Sequence, residues 1–286
     1  MKTLLAIINE PRESKEFLRY AAQLAIDLKA RVQVLHAQTP TNYPLGFIAS
    51  TEIPSLEAQR SMEKIVEDSR YALDNHIKNI TVELSNNVFA GSFSEIGTAA
   101  ELADQLVSEK KVDMVVLEGQ QNESFWTQTS TNMDIIQMVG CPVWIIPKDE
   151  VYKPFNKIVY ATDYKKEDVA NLKKLIGLFP DIMPTITALH ITDSIEFEEE
   201  VRKSGFIERL QSQTTYPQLQ VKAIYQSNHD NLIELINDYA VKNAASLIVV
   251  VKENESFFER IFKPSHTKKI LKNTELPVLV YHEKND

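Results

Sequence analysis

The chain has 286 residues, 43% hydrophobic and 25% charged, a balance that fits a soluble globular protein with length enough for two domains of ordinary size. Its formal charge of −9, with no basic stripe, argues against general nucleic-acid binding, because phosphate neutralisation supplies most of that affinity. No cationic start followed by an apolar run and no 18-residue apolar stretch is present, so neither export nor membrane spanning is expected.

Taken in chain order, "KTLLAII" reads as a buried strand. The helix "ESKEFLRYAAQLAIDLKA" then places Phe17, Leu18, Ala21, Leu24, Ala25 and Leu28 on one face. "RVQVLHA" alternates as a strand, Ser55 to Ile77 reads as a long helix, and "NITVELS" as a short strand. "SFSEIGTAAELADQLVSEKK" reads as a helix opened by a Ser92-x-x-Glu95 capping box. "VDMVVLE" is an apolar strand, "TNMDIIQMV" a short helix and "CPVWIIP" a last strand. Cys141, the one cysteine, lies in that strand and reads as a small core residue, in keeping with a reducing compartment. The second half runs strand "KIVYAT", helix Glu167–Leu178, strand "TITALHI", helix about 195–212, strand "QVKAIYQ", helix 230–243, strand "SLIVVV", helix 265–273 and strand "PVLVYH".

The two halves correspond. Asn9 to Asp163 is a shift of 154 positions, and His36 to His190 is the same shift. The stretch Asn-Glu-Ser-Phe occurs at Asn122 and again at Asn254, 132 apart, and Pro142 and Pro277 are 135 apart. The order holds while the shift changes by whole loops, which predicts a duplicated domain: residues 1–148 and 154–286, joined near "PKDEVYKPFN". The charge is shared unevenly, −8 over residues 1–150 and −1 over the rest. Strands separated by helices of 10–20 residues call for parallel pairing with right-handed crossovers. The expected fold class is therefore α/β, two tandem doubly wound five-stranded parallel sheets, each with its ligand crevice beyond the strand C-terminal ends.

On these residues the chain resembles the universal stress protein family: a first strand ending in a polar break, Leu-His near the end of the second, an apolar fourth strand with a loop and short helix, then "CPVWII" or "LPVLVY". The resemblance covers nearly the whole chain as a tandem pair. It implies a nucleotide-binding-like α/β fold and, in many members, ATP held by a Gly-x2-Gly-x9-Gly-Ser/Thr loop after the fourth strand, with an Asp ending the first strand. It also implies pairing through the fifth strands, here met by the two halves of one chain about a pseudo-two-fold, with a homodimer as a further possibility. In the first half the loop begins at Gly119, but Asn122 stands for the second glycine, Thr129-Ser130 for the final Gly-Ser, and Asn9 for the strand-end Asp. In the second half Asp163 matches, while Val251, Asn254 and Pro264, followed by Ser265, fill the glycine positions. Glycine in such a loop lets backbone N–H groups reach phosphate oxygens at positive φ; Val and Pro are poor at this, and Pro has no N–H.

The second-half candidates are thus Thr162, Asp163, Lys252, Asn254, Ser265, His266 and Thr267, for a weakly held ATP, AMP or other anion, or else a solvated helix cap on a basic loop. Asn9, Gly119, Asn122 and Ser130 are their first-half counterparts and are expected not to bind, since Asp134 occupies the first turn of the following helix and repels phosphate. Asp163 either grips a nucleoside or holds its own turn, and His36 and His190 either touch a base or are satisfied core histidines. Phe125, Trp126, Phe257 and Phe258 can fold their loops over the crevice mouths as plugs, lids or partner surfaces. No metal-ligand spacing and no Gly-x-Ser-x-Gly elbow occurs. The expectation is a cytoplasmic tandem stress protein without enzymatic turnover, with no cofactor, acting on a protein partner or small ligand. The alternative is an ATP/AMP-binding switch in the second half, with slow hydrolysis. A nucleotidyl-transfer enzyme is disfavoured by the lack of a His-x-x-His or glycine-based triphosphate site.

Overall fold

The computed structural model describes residues 2–38, 56–119, 131–193, 197–226, 232–252 and 276–282, without the side chains of 56–59, 61, 62, 131 and 233. Two compact units divide the described chain: residues up to 119, 131–143 and 148–152 in one, residues 144–147 and those from 153 onward in the other.

The first unit runs β1 (Lys2–Ile8), a 3-10 turn (Pro11–Glu13), α1 (Lys15–Asp27), β2 (Ala30–Gln38), α2 (Leu56–Leu84), β3 (Phe89–Ile96), α3 (Ala99–Ser108), β4 (Met114–Glu118) and α4 (Thr131–Met138). Its strands lie in the order β3-β2-β1-β4, all parallel where paired, with Ile8 opposite His36 and Ile7 opposite Leu117. β1 and β4 are buried because helices cover both faces, so alternation is lost and apolar runs such as "LLAII" are selected. The helix α1 buries the predicted face, with Leu18, Ala21, Leu24 and Ala25 all at 0% exposure. Each such leucine removed from water contributes roughly 1.5–3 kcal/mol.

Two expectations are corrected here. "NITVELS" is not a strand but the last turns of α2, which runs on to Leu84. Both patterns fit the letters, since Ile80, Val82 and Leu84 alternate while Leu73, Ile77, Ile80 and Leu84 recur at helical spacing. Burial decides for the helix: Leu73 and Ile80 are 0% exposed and Val82 is 71% exposed. The helix stops at Ser85, which turns left-handed at φ 50°. The third strand is instead Phe89–Ile96, half-exposed at the sheet edge and too polar to be read as a strand. Ser92 and Glu95 therefore lie in that strand and form no capping box; Ser92 Oγ donates to Asp74 Oδ1 at 2.6 Å. The cap of α3 is made one motif later, where Thr98 Oγ1 accepts from Glu101 N at 3.2 Å and donates to the Glu101 carboxylate at 2.7 Å.

β5 (Val143–Ile146) is buried throughout. The second unit continues with β6 (Lys157–Ala161), α5 (Lys166–Leu178), β7 (Thr185–Thr192), α6 (Phe197–Gln213), β8 (Leu219–Tyr225), α7 (Leu232–Lys242), β9 (Leu247–Lys252) and β10 (Val278–His282). The order is β10-β9-β6-β7-β8, again parallel, so strand order reverses on either side of β6. Trp144, Phe155 and Phe179 form an aromatic cluster in this unit's core, Trp144 meeting Phe155 edge-on at 5.1 Å and Phe179 at 6.4 Å. The predicted helix 265–273 lies outside the described residues. Among the described residues no helix is long and apolar enough to cross a membrane.

Candidate functional site

In the second unit the crevice side of the sheet is organised by a turn, Thr162 to Lys165, that joins β6 to α5. Its centre is the carboxylate of Asp168, 2% exposed, in the first turn of α5. Asp168 Oδ1 accepts from the Tyr160 hydroxyl at 2.7 Å; Oδ2 accepts from Thr162 Oγ1 at 2.7 Å and from Lys165 N at 3.1 Å. Thr162 Oγ1 in turn accepts from Tyr164 N at 2.9 Å. Burial raises the Asp168 pKa above its ordinary value, against the lowering effect of these donors, and neighbouring Asp163 adds to the rise. Thr162 is thus a turn-forming residue.

His190, on β7, lies in the core at 5% exposure. Its Nδ1–H donates to the Thr162 carbonyl at 2.7 Å, with Asp163 Oδ1 3.6 Å from the same nitrogen. Nε2 is 3.1 Å from Glu199 Oε1 of α6. Arg202, one helical turn on, donates through Nη2 to the Asp163 carbonyl at 3.0 Å and through Nη1 to Glu199 Oε2 at 3.3 Å. The ring of Tyr164 lies over that of His190, centroids 4.4 Å apart, and 5.2 Å from that of Phe206. Burial, then the charges of Glu199 and Glu200, push the Tyr164 phenol pKa up, with Arg202 opposing. Asp163 is consequently part of a cluster linking the strand-end turn to α6. Lys252 ends β9, the neighbour of β6, and the register Tyr160↔Val249 sets it at the same end of the sheet as Asp163. Its pKa is lowered by burial. Asn254, Ser265, His266 and Thr267 lie outside the described residues, as do Phe257 and Phe258.

The first unit differs at corresponding places. Asn9 follows β1 and is exposed. His36, 7% exposed, meets Ser94 Oγ through Nδ1 at 3.0 Å, and Gln38 Nε2 donates to the same oxygen at 3.3 Å. Burial lowers the His36 pKa, while Glu10 and the Asn9 backbone work the other way. Gly119 is buried beyond β4, and Asn132 of α4 donates to the preceding Glu118 carbonyl at 2.9 Å. The Glu118 carboxyl is pushed up chiefly by burial, with Lys148 opposing and Asp149 and Glu13 adding. Asp134 is in the first turn of α4, as expected, and with Glu101 and Thr98 it lines a surface cleft of about 470 Å3 between α3 and α4. Carboxylates so placed repel a phosphate. Asn122, Ser130, Phe125 and Trp126 lie outside the described residues.

Sequence reasoning missed Asp168, Tyr164, Glu199, Arg202 and Phe206. Asp168 carried a faint signal, an acidic residue in the first turn of a helix three positions after a polar turn. Glu199 and Arg202 lie in "EFEEEVR", which reads as a solvated charged face, and only its packing against β7 turns Glu199 inward.

A model of the universal stress protein family matches residues 1–147 and again 154–282. Among solved structures, a universal stress protein from Archaeoglobus fulgidus DSM 4304 aligns over 99% of this chain and 97% of its own, at 13% identity and a TM-score of 0.62. A protein from Pseudomonas aeruginosa UCBPP-PA14, described as a universal stress protein, aligns over 99% and 93%, at 13% identity and 0.58. At such identities the likeness establishes the fold. No curated protein matches the chain.

Proposed function

The chain belongs to the universal stress protein family, as two of its domains in tandem, and on that premise we propose that it acts by binding a protein partner or small ligand under stress, without catalytic turnover. In this reading neither half holds a nucleotide in the family's manner. The observation that carries it is the state of Asp163, the residue matching the family's strand-end carboxylate: Oδ1 faces His190 at 3.6 Å, its carbonyl takes the Arg202 guanidinium at 3.0 Å, and the Tyr164 ring packs beside it on His190. In this reading a nucleoside drawn to the Asp163 carboxylate would compete with its approach to His190. In the first half Asn9 stands in place of the corresponding carboxylate, while Glu118 ends β4 and Asp134 lies in the first turn of α4. The loops also lack the glycines that bring backbone N–H groups to phosphate.

Pairing of the two halves through their short apolar final strands, as an internal counterpart of a subunit pair, a homodimer of whole chains and a cytoplasmic location belong to the same proposal. Isothermal titration of ATP, ADP and AMP into the full chain tests the reading. No heat at tens of micromolar protein is expected. Micromolar binding lost on Asp163→Ala would replace it with a nucleotide-operated switch in the second half.

A further inference from the structure

Tyr164 is placed against its own conformational preference. Its φ of 60° is left-handed, a region that a bulky side chain enters only when its surroundings compel it, and such outliers gather at functional sites. What the turn gains is a ring stacked at 4.4 Å and 35° on His190 and at 5.2 Å and 40° on Phe206, both of them buried. The far end of that ring fits less well. Among the described residues the Tyr164 hydroxyl is buried with no hydrogen-bond partner, and so is Glu199 Oε1, on a side chain only 10% exposed. His190 Nε2 approaches Glu199 Oε1 at 3.1 Å without the alignment of a hydrogen bond. A donor and an acceptor thus lie in one cluster, unjoined. The ring is held by stacking on His190 and Phe206, while its hydroxyl and the Glu199 oxygen each lack a hydrogen bond among the described residues.

We infer that the space filled by Tyr164 is a ring slot closed by the chain's own side chain, and that it takes a flat aromatic ring carrying a cationic N–H group on its edge, of the aryl-amidine class, when Tyr164 turns out. The inference rests on the reading that this protein works by binding. The incoming ring stacks on His190 and Phe206, and its N–H donates to Glu199 Oε1. Charge favours a cation: Glu199 and Glu200 act on the phenol against Arg202, with Lys203 paired to Glu200 at 3.5 Å. Tyr164 acts as a plug, so occupancy by a ligand releases the Thr162–Lys165 turn from α6 and makes the slot a reporter on that surface.

The test uses the full chain and benzamidine as probe, with benzoate as the control of opposite charge. Tyr164→Gly relieves the left-handed strain and empties the slot; Tyr164→Ala is measured beside it in case glycine loosens the turn. Calorimetry or ligand-observed NMR should find benzamidine bound at least tenfold tighter by these variants than by the unaltered protein, and benzoate not bound. Adding Glu199→Gln should cancel that gain. Equal benzamidine affinity in plugged and emptied proteins, or benzoate bound as well as benzamidine, overturns the slot. Tyr164→Phe supplies a ligand-free check: it removes only an unpartnered hydroxyl, so its Tm should equal or exceed that of the unaltered protein, and a fall of several degrees overturns the assignment. ATP bound by the unaltered protein would overturn the proposed function instead, leaving the benzamidine comparison to decide the slot.

Discussion

Replacing Asp168 by alanine probes the core of the second crevice most directly. The change deletes the acceptor of three hydrogen bonds and strands two hydroxyls, on Tyr160 at 0% exposure and Thr162 at 2%, with no acceptor. An orphaned buried donor costs about 1–3 kcal/mol, and loss of the contact to the helix N-cap about 1 kcal/mol more. Against this stands relief from holding a carboxylate in the core, whose cost shows in its raised pKa. The balance is a loss of about 3 kcal/mol, far above a surface substitution. Trp144 reports it: fully buried and packed on Phe155 and Phe179, it becomes the sole tryptophan once Trp126 is changed to phenylalanine. Urea melts followed by its fluorescence give the stability, and Tyr160→Phe in the same chain should recover part of the loss, because one stranded hydroxyl is then gone. The sign of the pH dependence follows from the raised pKa. The native state keeps its proton longer than the unfolded chain, so this group's contribution is fully present below the ordinary value of 3.8 and is lost as pH rises through the folded pKa. The unaltered protein should therefore lose stability relative to Asp168→Asn as pH rises above about 4. A cost below about 1 kcal/mol, or a difference independent of pH, would refute the claim that this carboxylate organises the turn.

Thr98→Ala should remove about 1 kcal/mol by uncapping α3, read from urea melts, whereas Ser92→Ala should leave that helix capped. Ile80→Ala should cost about 2–5 kcal/mol and Val82→Ser less than about 0.5; the reverse order would restore the strand reading of that segment. His36 has a lowered pKa in the fold, so stability should fall as pH drops below 6.5 toward the folded pKa, and His36→Gln should flatten that slope in pH-dependent melts. The Cys141 thiol is pushed up to about 12 by burial, so iodoacetamide at pH 8 should label it in urea and leave it untouched in the native protein, as mass spectrometry would record.

The sequence by itself determined the duplication, the alternation of strand and helix and the parallel α/β class. Those follow from periodicities that each segment carries locally, such as the continuous apolar run of β1 and the single face of α1. It also placed Asp163 and His190 at strand ends. What only the tertiary structure decided were outcomes in which one stretch of letters satisfied two local patterns, or in which distant segments met. "NITVELS" alternates and also continues a helical face, and packing against the first unit's core chose the helix. The half-exposed edge strand at Phe89–Ile96 lacked apolar contrast because an edge needs little of it. Glu199 reads as one of several solvated acids, yet β7 brings His190 to it across the fold. Asp168 becomes the hub of the turn only because Tyr160, Thr162 and Lys165 point their donors at one spot. Hydrogen-bond geometry and burial depend on positions in space, and no periodicity along the chain records them.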